Sequence, residues 1–442
     1  MRKYTNSEYI RVMCSAIIRA PWFYTNPERP YHKTREYQFQ RIKKLITHAY
    51  NTTSFYHGKY KSAGVSPADF TKLEDLIKFP TVTKDEIISH FPQGSLSKKV
   101  SQKKCVLSLS SGSSGKVIRI LHDPKDTWAY ILGRFRILNI EHSYSPLDRT
   151  LYIYTSRYPA SSFFGLYPAF LISTLNPISD TAEKIRAIRP QIICSYPSLM
   201  LELRNYISTE EARDLKLKLI SVGSELSSKQ QRKDLANHFN CPVYDEYSSE
   251  ELGWIAGECS HKFHHLWEDI SFVEILDPHY DLSRSYEEKG EIVGTNLHNF
   301  AMPFIRYRQG DLGIISDKKN CECGKTFRIL KEFLGRKNDS FVFASGTTLT
   351  SAYLLDVIYS LLLDLKIDIL DFCMIQETSN LVRLEILPGK NFQESDVRKI
   401  EEKLRSVFPT EVRIDVSSPS QLYKTAAGKR NPIISKLSLG NS

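Results

Sequence analysis

Five short stretches of this chain carry residue types that can do chemistry together. Ser110-Ser111-Gly112-Ser113-Ser114-Gly115-Lys116 offers backbone N–H groups and serine hydroxyls to phosphate oxygens, with a lysine to add charge. It is neither a Walker loop, since no Ser or Thr follows Lys116, nor a dinucleotide fingerprint, since the strand-like Val117-Ile118-Arg119-Ile120 follows instead of a helix. A surface turn has the same composition, and both readings stand. Tyr244-Asp245-Glu246-Tyr247-Ser248-Ser249-Glu250-Glu251 packs four carboxylates and two tyrosines behind a strand-like run. Such carboxylates suit Mg²⁺, which is held by one or two of them plus substrate phosphates, and a tyrosine can stack on a base. The alternative is a solvated acidic turn. In Phe304-Ile305-Arg306-Tyr307-Arg308-Gln309-Gly310-Asp311 the aspartate on a glycine turn can accept two hydrogen bonds from a ribose diol, although a hairpin turn looks the same. Leu334-Gly335-Arg336-Lys337-Asn338-Asp339 tolerates unusual dihedrals and reads as a hinge. Ala427-Gly428-Lys429-Arg430-Asn431 puts a lysine on a loop near the end of the chain, where exposed lysines are commonplace.

Cysteine adds a sixth pattern. Cys321-x-Cys323, followed by Gly324, is half of a metal clip. Cys259 with one of His261, His264 and His265 could complete a tetrahedral Cys₃His set for Zn²⁺. Free surface thiols are the competing reading.

Positioning these groups requires strands and helices in alternation. Tyr37, Phe39, Ile42, Leu45, Ile46 and Tyr50 fall near helical spacing, so the first 100 residues read as helical and loop-rich. Val106–Leu109 and residues 117–120 read as strand, polar turn, strand. Between residues 151 and 244, short apolar runs at 151–154, 192–195, 219–222 and 243–244 alternate with helical segments, which argues for an α/β arrangement. Residues 270–276, 290–295 and 312–316 read as further strands. A small α+β unit follows, with helix 351–363, strands 372–375 and 382–387, helix 395–408 and strand 413–416, and residues 417–442 read as a polar tail. The fold class expected is α/β, a large multi-subdomain N-terminal domain over residues 1–335 and a small mobile α+β domain over 336–442.

With 442 residues, more than one compact core is expected. Hydrophobic residues at 41% and charged residues at 25% exclude disorder and a polytopic membrane protein. No run approaches the roughly 18–20 apolar residues of a membrane span, and no signal peptide is legible. Sixty Lys plus Arg against 50 Asp plus Glu invites anionic partners, but the basic residues are dispersed and no nucleic-acid motif accompanies them. Small polyphosphate-bearing molecules satisfy that charge, and nucleic acid is not expected. Eight cysteines suit a reducing, cytoplasmic setting. The oligomeric state is open, a homodimer included.

In their order, the Ser/Gly loop, the Tyr…Glu segment, Arg-Tyr-Arg-x-Gly-Asp, Gly-Arg-x-x-Asp and the terminal Gly-Lys resemble the adenylate-forming enzyme superfamily, and more narrowly the phenylacetate–CoA ligase family with its capsule-biosynthesis branch. Phe55-Tyr56-His57 … Leu73 … Phe79-Pro80 … Lys84 and Cys259 … His265-x-x-Glu268-Asp269 … Glu274-Ile275 extend the likeness over nearly the whole chain. The resemblance implies that residues 110–116 hold the β- and γ-phosphates of ATP. It implies further that Gly223-Ser224-Glu225 line the adenine pocket and that Tyr247 stacks on the base. Glu251 takes the Mg²⁺ place, but Ser248 and Glu250 depart from the usual Tyr-Gly-x-Thr/Ser-Glu and leave Glu250 as a competitor. Asp311 binds the ribose hydroxyls, Arg336 reaches ribose or phosphate, Asn338 is the hinge and Lys429 the catalytic lysine. Cys259, His265, Cys321 and Cys323 match zinc-binding positions. The implied reaction turns a small carboxylic acid into an acyl-adenylate with release of pyrophosphate, then transfers the acyl group to a thiol such as coenzyme A. An amine acceptor in surface-polysaccharide synthesis and a non-catalytic nucleotide binder are the alternatives. The acid is expected near residues 154–164 and Ser195-Tyr196-Pro197.

Overall fold

Helical spacing of apolar residues decides the first elements. In the helix Tyr31–Thr52, Ile42, Leu45, Ile46 and Ala49 recur every three or four residues and are all fully buried. The short helix Lys84–Ser89 starts at a capping box, Glu86 N–H donating to Thr83 Oγ1 and Thr83 N–H to Glu86 Oε2. These elements belong to a computed structural model that describes residues 5–110, 117–140, 144–154, 165–318, 320–424 and 429–437. The chain forms two compact units, one of residues 1–140 with 246–333, the other of 141–245 with 334–442.

In the first unit, helices Asn6–Thr25, Tyr31–Thr52 and Ser54–Ser62 lead to the antiparallel pair Val106–Leu109 and Arg119–His122, which closes with Leu109 opposite Arg119. The helix Trp128–Leu138 follows. Its main sheet runs in the order Ser271–Leu276, Lys289–Asn296, Tyr307–Ile315, Ile329–Arg336, His264–Leu266, Gly253–Glu258 and the last residues of Val243–Ser249. Leu252, Ile255, Phe304, Ile305 and Tyr307 join the helical residues in one core.

In the second unit, parallel strands Ala169–Ile172, Thr150–Ile153, Ile192–Ser195 and Leu219–Gly223 lie side by side. The last three of these are buried at every residue, as a parallel sheet covered on both faces requires. Helices Ile178–Ile188, Pro197–Leu203, Thr209–Leu215 and Lys229–Phe239 supply cover. Residues beyond 334 add a four-stranded sheet in the order Arg413–Ser417, Leu381–Pro388, Ile369–Thr378, Ile433–Ser435, with helices Ser351–Asp364 and Glu394–Leu404.

Three expectations change. The acidic segment is not all turn: the strand continues to Ser249, because its backbone pairs with Gly253–Glu258, Tyr247 opposite Ala256. Asp311 lies inside the strand Tyr307–Ile315, where a bulge around Gly310 (φ +85°) replaces the expected turn. The polar tail contains the strand Ile433–Ser435, held in parallel register by Met374, Ile375 and Gln376 and anchored by the fully buried Ile433. Among the described residues no helix is long and apolar enough to cross a membrane.

Candidate functional site

The hairpin from Val243–Ser249 to Gly253–Glu258 presents the first group of candidate residues, all in the first unit. Tyr247 points its hydroxyl at Asp311, donating to Oδ2 at 2.6 Å, and the amide of Gln309 in turn donates to that hydroxyl. Its ring lies 4.6 Å from the Phe333 ring, tilted by 45°. Asp311 is buried, and the bulge at Gly310 turns its carboxylate to this side of the strand. Glu250 and Glu251 occupy the hairpin turn directly after the strand. Glu251 is buried, with Oε1 accepting from the Tyr307 hydroxyl at 3.3 Å and its backbone carbonyl accepting from Asn296 Nδ2 at 3.0 Å. Glu250 is half-buried. Glu246, on the same strand, is buried 3.7 Å from Arg134. The Tyr247 ring and the carboxylate of Glu251 are thus both tied to the strand Tyr307–Ile315 that carries Asp311. Ser110 closes the preceding hairpin, its hydroxyl accepting from Ile118 N–H at 2.9 Å, while residues 111–116, the expected phosphate loop, lie outside the described residues.

In the second unit, the parallel strand Leu219–Gly223 ends where Ser224 takes a left-handed φ of +66°. Strand ends of parallel sheets are where α/β proteins bind ligands. Lys429, 205 residues further on, reaches this turn. Its Nζ donates to the Ser224 carbonyl at 3.4 Å and stands 5.5 Å from the centre of the Tyr196 ring. Glu225 caps the same place: Oε1 accepts from Arg430 N–H at 2.8 Å, and Oε2 accepts from Ser198 N–H at 3.3 Å at the start of the helix Pro197–Leu203. Loss of water raises the Glu225 pKa, while Ser198, Arg430 N–H and the Lys429 charge pull it down. Arg336 is half-buried at the end of its strand, its carbonyl accepting from Ser340 Oγ at 3.3 Å, and Asn338 is exposed in the single turn Lys337–Asp339. Gly335 precedes them at φ +82°, and a Cβ there would lie 1.9 Å from Ser351 Oγ. Of the region expected for the acid, Tyr154 and Tyr196 stack edge to face at 5.1 Å, and residues 155–164 lie outside the described residues.

The cysteine pattern closes. Ligand atoms of Cys259, His265, Cys321 and Cys323 all lie within 4.8 Å of one another. Cys259 Sγ is 3.8 Å from Cys321 Sγ, and Cys323 Sγ is 3.3 Å from His265 Nε2. A tetrahedron with Zn–S bonds of about 2.3 Å has sulfur–sulfur edges of about 3.8 Å, so the set fits zinc. His265 Nδ1 donates to the Phe327 carbonyl at 2.9 Å, which orients Nε2 toward the sulfurs. Burial lowers the His265 pKa to about 4, leaving the ring neutral near pH 7, the form that ligates a metal. His264 is the next residue on the strand and must face the other way, and His261 is exposed beside Glu322.

Sequence reasoning missed Tyr307 and Gln309 as partners of the candidate carboxylate and tyrosine, Ser198 as a partner of Glu225, and Glu202 and Asp371 as partners of Arg430. Tyr307 and Gln309 lay within a segment already singled out. The other three carried no local signal, since only the folded chain brings them to these partners.

No protein-family profile matches the chain. The phenylacetate–coenzyme A ligase of Pseudomonas putida is 31% identical over 301 residues, covering 63% of this chain and 66% of that protein. That of Escherichia coli is 29% identical over 320 residues, 69% of this chain and 71% of that protein. Among solved structures, 2-hydroxyisobutyryl-CoA ligase in the postadenylation state in complex with R3-HIB-AMP superposes with a TM-score of 0.78 at 20% identity, over 95% of this chain and 94% of that one, which establishes the shared fold.

Proposed function

Since the chain belongs to the adenylate-forming superfamily, in its phenylacetate–coenzyme A ligase family, we propose that it activates a small carboxylic acid with ATP and passes the acyl group to coenzyme A. In the first half-reaction a carboxylate oxygen of the acid attacks the α-phosphorus of ATP. The bond from that phosphorus to the bridging oxygen breaks, and pyrophosphate leaves with the electron pair. In the second, the thiolate of coenzyme A attacks the acyl carbon and AMP departs. Both steps need charge stabilisation more than a general base.

The observation that carries this reading is Lys429 at the Ser224 carbonyl, within hydrogen-bond reach of the turn that ends a parallel strand. Its ammonium stabilises negative charge growing on the α-phosphate. Residues 223–225 line the adenine, Tyr247 stacks on it, and Asp311 accepts from the ribose hydroxyls, held for that task by the Tyr247 hydroxyl. Arg336 binds ribose or phosphate, and residues 110–116 hold the outer phosphates. Glu251, buried and bonded by Tyr307, fits Mg²⁺ better than the half-buried Glu250; the ion neutralises phosphate charge when bound. Cys259, His265, Cys321 and Cys323 hold a structural Zn²⁺ that ties two loops of the first unit. Residues 336–442 turn about Asn338 between half-reactions. Use of ATP and coenzyme A, together with sparse cysteines that suit a reducing compartment, supports a cytoplasmic setting.

ATP–pyrophosphate exchange over a panel of carboxylates that includes phenylacetate tests the proposal. Wild type should exchange label with at least one acid, and Lys429→Ala should lower the rate about 10²–10³-fold. Exchange indifferent to Lys429, or none with any acid, overturns it. Mass spectrometry of products formed with coenzyme A or with amines identifies the acceptor.

A further inference from the structure

Beside Lys429, a second cation is spent entirely on structure. Arg430 is buried to 11% side-chain exposure, and its guanidinium bridges two carboxylates from separate elements of the second unit. One terminal nitrogen donates to Glu202 Oε2, at the end of the helix Pro197–Leu203, at 2.5 Å. The other donates to Asp371, on the strand Ile369–Thr378. Lys424 adds a weaker contact to Glu202 at 3.9 Å. The Arg430 backbone N–H holds Glu225, and Asn431 Nδ2 donates to Asp339 at 3.1 Å, next to the hinge candidate. A small cavity lined by Pro197, Ser198, Leu201, Glu225, Phe372 and Pro432 adjoins Arg430. With one residue pinned on three sides, the preceding residue has little freedom of placement.

We propose that Arg430, clamped between Glu202 and Asp371, is a positioning residue that docks the Lys429 segment onto the turn at residues 224–225, so that acyl-adenylate formation depends on the clamp and thioester formation does not. The reading rests on the ligase function proposed above for its catalytic consequence, while the docking itself does not. Two half-buried carboxylates around one guanidinium make the docked arrangement costly to break one partner at a time, since each loss leaves a charge without its counterion. The clamp acts through the lysine and touches no reacting atom.

The test combines two measurements on the full chain with Arg430→Ala, Arg430→Lys and Glu202→Gln. The first is the rate at which an N-hydroxysuccinimide acetate reagent acetylates Lys429, followed by peptide mass spectrometry. With the clamp broken, that rate should rise at least fivefold in Arg430→Ala and less in Arg430→Lys, while lysines elsewhere react unchanged. The second compares phenylacetate-dependent ATP–pyrophosphate exchange with thioester formation from supplied phenylacetyl-adenylate and coenzyme A. Arg430→Ala should cut the exchange kcat more than tenfold and leave the thioester step within twofold. Unchanged Lys429 acetylation, or equal loss in both half-reactions, overturns the clamp. A wild type inactive with every acid of the carboxylate panel refutes the ligase reading, and acetylation still decides the clamp. Glu202→Gln, at a more exposed partner, serves if Arg430→Ala fails to fold.

Discussion

Replacing Tyr247 by Phe removes one oxygen and keeps the ring. In the structure that oxygen donates to Asp311 Oδ2 at 2.6 Å and accepts from Gln309. A hydrogen bond to a charged group contributes about 1.5–3 kcal/mol. Asp311 is buried but Tyr247 only half so, and the lower end, about 1.5 kcal/mol, is the appropriate figure. At about 1.36 kcal/mol per factor of ten, losing that bond to the carboxylate should weaken ribose binding about tenfold. The ring still stacks on the base and no group at the α-phosphate has changed, so the loss falls on binding that ground and transition states share. The expected result in ATP–pyrophosphate exchange is a KM for ATP raised about tenfold with kcat within threefold. Tyr247→Leu should add a further loss of about 1–3 kcal/mol through the missing stack. A Tyr247→Phe enzyme whose KM for ATP stays within twofold, while Asp311→Ala raises it, would show that the hydroxyl does not orient the carboxylate.

Purified protein should release one zinc per chain on treatment with a thiol-blocking mercurial and a colorimetric chelator. Cys321→Ser and His265→Ala should lose it, whereas His264→Ala and Cys373→Ser, outside the cluster, should keep it. Gly335→Ala should destabilise the chain by about 2 kcal/mol or more, because φ is +82° and the new Cβ meets Ser351 Oγ. Calorimetry should show a lowered Tm that Ser351→Ala partly restores. Acid should weaken the first unit through buried histidines. Burial lowers His298 to about 3 and His122 to about 4, so the folded chain keeps them neutral while the unfolded chain protonates them near 6.5. Their contribution is complete above pH 6.5 and falls by about 1.36 kcal/mol per pH unit for each as pH drops toward those values. Asp126, raised to about 6 by burial, opposes part of this slope. Urea unfolding at pH 7, 6, 5 and 4 should therefore show His298→Gln losing stability less steeply than wild type, and parallel slopes would count against the assignment.

Local signals were enough for much of the architecture. Short β-branched runs such as Ile192–Ser195 fold where their composition says, since a fully covered parallel strand needs nothing but apolar side chains. The helix Tyr31–Thr52 follows from its spacing, and the chemical residue types at Tyr247, Glu251, Asp311 and Lys429 were visible before any fold. What a residue type cannot carry is its partner. The strand through Tyr247 ends where its hydrogen-bonding neighbour ends, and a bulge at Gln309 and Gly310, not a turn, aims Asp311. Ile433 becomes a strand because Met374 accepts it into register, although its flanks read as a polar tail. His265 rather than His264 joins three cysteines because strand alternation sends neighbours to opposite faces and only one face holds the sulfurs. Arg430 looked like one more basic residue until folding set Glu202 and Asp371 on either side of it, 228 and 59 residues away along the chain. Secondary structure and chemical identity are short-range properties of the chain, whereas ligand sets, clamps and registers are distances between segments, and those come into being only when the core has closed.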